Sequence, residues 1–521
     1  MSLRSLLVPC VLFGLAACTG KPDADVVTPD PDALSADPLY GVPNVDDDDQ
    51  NGEVDWDDAG VDGENDRALL ELGADGPVEL TLAGDVDVVR IWRDGDIVLD
   101  AGVTTATVDG GTLEVEFGGF LAQATLTVTL VDDPDVTATR ALTSAPLILN
   151  NHMQSAELVV AMSYTGRSGN EAFVAGFSDA LGESFTPIDL RDYQNDVWVQ
   201  DELEFATLNS PDHRMDVVID SIRSTRGGLD DVPEDLFEAP DTAVHTWGSG
   251  RATSQDSFGN LEVSPPVTVG GVEYPFGRIY WGTYRGKGVT EELAEFLEDQ
   301  RVQDPFQVDN SWLCVGHVDE FSSFVPDPTA PKGFRFLYAD TRLGRTFLEG
   351  VSPETSLPRY RTGHGYATVG DMLDDAALWS ANADMQADYL DPNLAIFKAE
   401  LGLDDADIVL VPGLFEENEL CGGDALALIP ATVNLVVADI GTGTPQIFLP
   451  DPFLRADEDD QASDPFIAAV SALLPTSLDL HWLDDWDWYH LAWGEVHCGS
   501  NTQRTPVRDW WTDAMHLLEG E

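Results

Sequence analysis

Gly494-Glu495-Val496-His497-Cys498-Gly499-Ser500-Asn501 sets one cysteine in a turn rich in glycine, histidine and asparagine. Such surroundings suit a reactive thiol better than a packed one. A cysteine nucleophile needs an acid–base partner and groups that hold the substrate. Candidates lie far upstream: His317 and Asp319 in Gly316-His317-Val318-Asp319-Glu320, and Asp201 in Trp198-Val199-Gln200-Asp201-Glu202. A Cys/His pair alone would serve a thiol protease. The two aspartates change the electrophile, because the planar N–H fork of a guanidinium is matched by carboxylates. The set therefore reads as a thiolate attacking a guanidinium carbon. His317 would protonate the departing ammonia and then activate water.

Composition bounds the partners. The 521 residues, 43% hydrophobic and with 13 Trp, suffice for more than one core, so two or three domains are expected. There are 95 acidic residues against 26 basic ones, for a formal charge of -69. Such a surface repels nucleic acid and anionic membranes and attracts divalent cations and basic polypeptides.

Met1 to Arg4 and the apolar run Leu6 to Leu15 read as an export signal, too short to span a bilayer as a mature helix. Leu15-Ala16-Ala17-Cys18 resembles the bacterial lipoprotein lipobox, which implies cleavage after residue 17, lipidation of Cys18 and anchoring to a bacterial membrane. Cys314, Cys421 and Cys498 then remain, and an odd number implies a free thiol. The expectation is a buried apolar thiol at Cys314, a structural Cys421, no stapled disulfide scaffold, and Cys498 unpaired.

Residues 18–68 read as an acidic tether. Within it Asp47-x-Asp49-x-Asn51-Gly52-x-x-Asp55 matches the first part of a calcium loop, with oxygen ligands at alternate positions and a glycine for the turn. Residues 69–142 hold short alternating runs such as Val78-Glu79-Leu80-Thr81-Leu82, separated by turns such as Asp109-Gly110-Gly111, and predict a small β-sandwich. From 143 to 521 apolar strands alternate with helical stretches. Strands are expected at Leu158–Met162, Ile408–Val411, Val433–Val437 and Gln446–Leu449, and helices at Asn170–Leu181, Thr290–Gln300 and Leu394–Leu401. This is an α/β pattern without a glycine-rich phosphate loop, so no nucleotide cofactor is expected.

Three blocks, Trp198 to Glu204, Trp312 to Phe321 and Gly494 to Asn501, resemble the catalytic motifs of the peptidylarginine deiminases. A fourth, Asp256-Ser257-Phe258-Gly259-Asn260-Leu261-Glu262-Val263-Ser264-Pro265-Pro266, is similar to that family's calcium segment. The resemblance implies the five-fold pseudosymmetric α/β propeller of the guanidino-modifying enzymes, preceded by an immunoglobulin-like sandwich. It implies Cys498 as nucleophile, His317 as acid–base group, Asp201 and Asp319 as guanidinium carboxylates, and Trp198 along the substrate's aliphatic stem. Arg223 and Arg226 would contact substrate backbone. Ala492 departs from the arginine that vertebrate members place there.

The same resemblance implies several calcium ions. One set is Gln200, Glu204, Glu262 and the carbonyls of Phe258 and Leu261. Another is Glu202, Asp220 and Ser221, and Asp241 would reach the Asp47 loop. The implied activity is calcium-dependent conversion of peptidyl-arginine to peptidyl-citrulline through a thiouronium on Cys498, acting on a basic protein or peptide. A small-molecule guanidine hydrolase, acting on free arginine or agmatine, and an inactive calcium-binding surface lipoprotein are the alternatives. His490 and His497 are read as hydrogen-bonding scaffold.

Overall fold

The computed structural model describes residues 34, 36–58, 63, 65–74, 76–166, 169–223, 228–506 and 509–518. The signal segment 1–17, Cys18 and Arg226 lie outside the described residues.

Alternation along the early strands builds two sheets around one core. The first runs in the order Leu39–Gly41, Thr137–Ser144, Gln123–Leu130, Pro77–Gly84, Thr105–Asp109. The second runs Ala68–Glu71, Thr112–Phe117, Val89–Arg93, Asp96–Leu99. Pairing is antiparallel throughout except where Leu39–Gly41 lies parallel to Leu142–Ser144. Since successive side chains point to opposite faces, Val78, Leu80 and Leu82 turn inward together. They meet Leu113, Val115 and Phe117 of the other sheet in a single buried cluster.

From Ile148 onward, beside two antiparallel hairpins, five mixed sheets repeat one plan: the middle strand lies antiparallel to the first and parallel to the third. They are Leu203–Asn209, Arg214–Asp220, Thr242–Thr246; Leu261–Val263, Ile279–Thr283, Phe306–Asp309; Ser322–Pro326, Phe334–Asp340, Ile408–Pro412; Val436–Ala438, Gln446–Pro450, Asp479–Leu483; and Ser500–Arg504, Ala156–Ser163, Phe185–Asp189. Antiparallel neighbours can join by a tight turn, but parallel ones need a crossover. A helix accordingly separates second from third strand in every unit: Val232–Phe237, Glu291–Asp299, Thr341–Glu349, Pro465–Ser471 and Glu171–Leu181. The last unit borrows its first strand from the chain's end and pairs it beside Ala156–Ser163.

This plan positions the site. Each first strand is entered from a short turn, and those turns carry Asp201, Phe258, Asp319, Asn434 and Cys498 just ahead of Leu203, Leu261, Ser322, Val436 and Ser500.

Local differences from the sequence expectation have local causes. The helix expected from Thr290 runs Glu291–Asp299, with the Thr290 hydroxyl accepting the Leu293 N–H at 3.4 Å. The helix expected at Leu394–Leu401 is the end of a longer run from Ala376, which widens at Gln386–Leu390 before Asp391–Glu400. Pro392 has no N–H to give, and the wider turn carries the chain past it. The strand expected at Val433–Val437 shrinks to Val436–Ala438, because Asn434 is turned toward Cys498.

The expectation of a free buried thiol at Cys314 is corrected: Cys314 is disulfide-bonded to Cys421, with Cα atoms 5.5 Å apart. The cause is backbone pairing, which the sequence spacing hides. Ala425 N–H donates to Trp312 O at 2.8 Å and Cys314 N–H to Ala425 O at 2.9 Å, which lays the Cys421 turn over Cys314. Cys498 is the free cysteine among the described residues. The bridge closes a separation of 107 residues, so Cys421→Ser should cost roughly 2–5 kcal/mol through the greater freedom of the unfolded chain. Urea unfolding of the oxidised protein checks this, and an unchanged midpoint contradicts it.

Candidate active site

The nucleophile turn is held from two sides. Asn434 Oδ1 accepts the N–H groups of His497 at 2.9 Å and Cys498 at 3.3 Å, and its Nδ2 lies 3.1 Å from Cys498 Sγ. Gly494 is required by space: a Cβ there would stand 2.4 Å from the Trp198 ring and 3.2 Å from the Cys498 Cβ. Trp198 thus lies directly over the turn, its ring edge-on to Tyr489 at 5.8 Å.

Asp319 faces the thiol, with Cys498 Sγ donating to its Oδ2 at 3.3 Å. That same oxygen lies 3.0 Å from His497 Nδ1, while Asp319 Oδ1 is buried without a hydrogen-bond partner. Burial, followed by the charges of Asp319 and Asp201, pushes the Cys498 thiol well above its ordinary range. Burial alone would push His497 down, yet Glu262 and Asp319 raise it to about 9. His497 thus hydrogen-bonds both Asn434 and Asp319, and its Nε2 faces Glu262 at 3.6 Å.

His317 is fixed from behind. Glu320 Oε1 accepts the N–H groups of Gly316 at 3.0 Å and His317 at 2.8 Å. The Nε2 of His317 lies 2.9 Å from Ser254 O, which can only accept, so Nε2 carries a proton. Nδ1 faces Asp201 Oδ1 at 3.7 Å. Gly259 leaves the space between: a Cβ on it would sit 2.9 Å from His317 Nδ1 and 3.0 Å from Asp319 Oδ2.

Asp201 belongs to a single helical turn, Val199–Glu202, tied to the nucleophile by Gln200 N–H donating to Cys498 O at 3.3 Å. Arg223 Nη1 lies 3.4 Å from Asp201 Oδ2, so this arginine stands on the carboxylate itself. Ala492 precedes Trp493, which is 40% exposed at φ 83° in the left-handed region.

The change from helical turn to strand also sorts the acidic residues around Asp201. Gln200 Nε2 donates to Glu204 Oε2 at 2.8 Å and to Phe258 O at 3.3 Å, on the side where Glu262 lies. Leu261 opens the strand that carries Glu262. Burial, then Glu262, pushes Glu204 up to about 8, and burial pushes Glu262 up to about 7. Glu202 points elsewhere: it is 0% exposed, with neither carboxylate oxygen hydrogen-bonded. Burial and Asp220 push it up to about 9, and Asp220 itself is pushed up to about 7 by burial. Asp230 completes that cluster, ligand atoms within 4.8 Å of one another. Ser221 stands alongside, its hydroxyl donating to Asp256 O at 2.8 Å.

The acidic loop near the start is arranged differently from the spacing read above. Asp47 accepts the N–H groups of Asn51 at 3.0 Å and Gly52 at 2.6 Å, and Asp49 accepts Asn51 N–H at 3.1 Å; both build the turn, and Asp49 and Asn51 are exposed. Asp55 is buried and accepts Asp48 N–H at 3.3 Å. The acids that converge are Asp46, Asp48 and Asp66, and Asp66 also converges with His213 and Asp241. Burial and Asp66 push Asp46 up to about 8. Asn434, Ser254, Asp230, Asp46, Asp48 and Asp66 are thus additions to the sequence reading. A lone Asn or Ser carries no spacing signal, and a one-residue shift in an aspartate run is invisible without the backbone.

Buried, unpartnered carboxylates are costly unless neutralised by protons or cations. Both clusters beside Asp201 offer oxygens, which suits a hard divalent cation such as calcium.

A sequence model described as Protein-arginine deiminase (PAD) matches residues 135–512. Type-4 protein-arginine deiminase of Rattus norvegicus is 33% identical over 430 residues, covering 76% of this chain and 61% of the relative. Type-1 protein-arginine deiminase of Homo sapiens is 35% identical over 421 residues, covering 75% and 60%. The chain thus spans about three fifths of the length of these curated relatives. The solved agmatine deiminase of C. jejuni aligns with 70% of this chain and 97% of its own at a TM-score of 0.36 and 8% identity, too slight a likeness to argue from. The match across both aspartates, His317 and Cys498 is a match over most of the sequence, and the chain belongs to the protein-arginine deiminase family.

Proposed function

We propose that the chain hydrolyses peptidyl-arginine to peptidyl-citrulline and ammonia. The observation that carries this is the contact of Cys498 Sγ with Asp319 at 3.3 Å, in a site where Asp201 faces His317 from the other side. A planar cation seated between two buried carboxylates presents its carbon to the sulfur. The cation offsets the charges that hold the thiol protonated, so substrate binding itself favours the thiolate.

In the first half, Sγ bonds to the guanidinium carbon and the thiol's proton passes to His317. His317 returns that proton to the leaving nitrogen, the C–N bond breaks, and ammonia departs from a thiouronium on Cys498. In the second half, a water adds to the same carbon as His317 takes its proton. The C–S bond breaks, the sulfur regains a proton, and the released group carries a carbonyl in place of the imine. Trp198, covering the turn, supports the aliphatic stem, as its position over Gly494 suggests. Arg223 leaves Asp201 when substrate enters, and its guanidinium is then available to substrate backbone carbonyls.

Calcium fits the oxygen-rich clusters on either side of Asp201, where it would neutralise carboxylates that are otherwise uncompensated. Gln200, Glu204, Glu262 and Phe258 O form one set, and Glu202, Asp220 and Asp230 the other. The Asp46, Asp48 and Asp66 group supports a further ion. Five sheets of one plan support a five-fold α/β propeller, and the two facing sheets before it support an immunoglobulin-like sandwich. Export with lipidation at Cys18 is supported by Leu15-Ala16-Ala17-Cys18 and by the Cys314–Cys421 disulfide, a bond that persists in oxidising compartments. The formal charge of -69 supports a basic protein or peptide substrate.

Citrulline and ammonia release from a blocked arginine peptide tests the reading. Wild type with calcium should turn over, and Cys498→Ala should lose at least roughly 10³-fold. Equal turnover by both proteins contradicts it, and activity confined to free arginine transfers the reaction to a small guanidine substrate.

Calcium should also raise the unfolding free energy of the full chain, by about 2.7 kcal/mol per site at a hundredfold excess over Kd. The sign with pH follows from the raised folded pKa values. Glu202 at about 9, Glu204 at about 8 and Asp220 at about 7 cost the metal-free fold nothing below the ordinary carboxyl range, and progressively more as pH climbs toward those values. Stabilisation by calcium should therefore be larger at pH 8 than at pH 6, read by thermal unfolding. The reverse order would contradict the assignment.

A further inference from the structure

Beyond the oxygen clusters, one group of side chains has the chemistry of a different metal. His152, Glu262 and His497 each present a ligand atom, all within 4.8 Å of one another. Glu262 Oε1 and His497 Nε2 are 3.6 Å apart. Bonds of 2.0–2.2 Å at a tetrahedral angle place neighbouring zinc ligands about 3.4 Å apart, close to that separation.

Both imidazoles are already oriented for ligation. His152 Nδ1 lies 2.9 Å from Phe324 O, which can only accept, so Nδ1 carries the proton and Nε2 keeps its lone pair. His497 Nδ1 lies 3.0 Å from Asp319 Oδ2, leaving Nε2 toward Glu262, and a metal bound there displaces the proton that Nε2 otherwise carries. A ring nitrogen anchored by carbonyl or carboxylate behind a free partner nitrogen is how metal-binding histidines are fixed. The three side chains line a cavity of about 30 Å³, room for one ion or water, with Glu204 and Arg504 on its wall. Arg504 opposes a cation there, but its guanidinium is spent on the carbonyls of Gln154 at 3.2 Å and Val437 at 2.7 Å.

We propose that His152, Glu262 and His497 form a zinc-class transition-metal site, with the fourth position open to water in the cavity. Two nitrogens and one carboxylate oxygen suit zinc, whereas calcium takes oxygens. Glu262 also belongs to the Gln200–Glu204–Glu262 calcium set, so zinc and calcium compete for it. That consequence rests on the calcium reading above; the zinc site itself does not.

The test is zinc(II) uptake by the full chain against a chromophoric chelator, with calcium saturating the oxygen clusters at first and then absent. One equivalent should bind tightly without calcium and more weakly with it. His152→Asn keeps a donor for Phe324 O and should weaken that equivalent at least about tenfold, since even outer partners of zinc ligands are worth 10- to 100-fold. Cobalt(II) in the wild-type protein should give the strong visible bands of four-coordinate nitrogen ligation. Unchanged uptake by both His152→Asn and Glu262→Gln, or only weak uptake spread over the acidic surface without those bands, overturns the proposal. Neither readout requires turnover, so this outcome and that of the citrulline assay are separate.

Discussion

The contact between the Cys498 sulfur and Asp319, 3.3 Å inside a buried site, is the constraint on which the remaining arrangement depends. A thiol against a carboxylate in low dielectric resists ionisation, because two negative charges so close and so poorly solvated are strongly disfavoured. Asp201 adds to this, and the thiol is held well above its ordinary range. The resting site is therefore quiet by construction. Arg223 on Asp201 shows that a guanidinium fits one of the two carboxylates, and under the proposed function a substrate cation of that shape releases the thiol. Under that proposal, nucleophile strength and substrate recognition are one electrostatic event.

The backbone makes this possible by bringing five turns together. Each precedes the first strand of a three-stranded unit, so residues as distant in sequence as Asp201 and Cys498 arrive side by side. Close approach is bought with glycine at Gly494 and Gly259, where a Cβ would strike the Trp198 ring or His317. The acidic clusters lie beside these turns, with Glu204, Glu262 and Asp220 on strands. Ions bound there would act on the backbone that presents Asp201 and Glu262 rather than on the reacting atoms.

Much of this was legible in the chain because chemistry-bearing residue types are rare and their spacing is short. Cys498, His317, Asp319 and Asp201 stand in compact motifs, and the structure sets Cys498 against Asp319 and His317 against Asp201, with Gly259 beside both His317 and Asp319. The α/β alternation and the early strands were legible because period-2 and period-3.6 patterns survive in Val78-Glu79-Leu80-Thr81-Leu82 and in the Thr290 helix. What was not legible depends on long-range pairing. Cys314 and Cys421 meet because Ala425 pairs beside Trp312–Cys314, and Asn434 reaches the thiol from a turn in another unit. In the run Asp46-Asp47-Asp48-Asp49, alternation alone could not say which phase points inward. The backbone turns Asp46 in and uses Asp47 to close the turn.

The most direct test of the electrostatic account is the pH profile of Cys498 alkylation in the substrate-free protein, wild type against Asp319→Asn. The amide keeps the shape of the carboxylate and removes its charge, so the midpoint of thiolate formation should fall and alkylation near pH 8 should quicken. An unchanged or higher midpoint would contradict the claim that Asp319 keeps the nucleophile protonated until a guanidinium arrives.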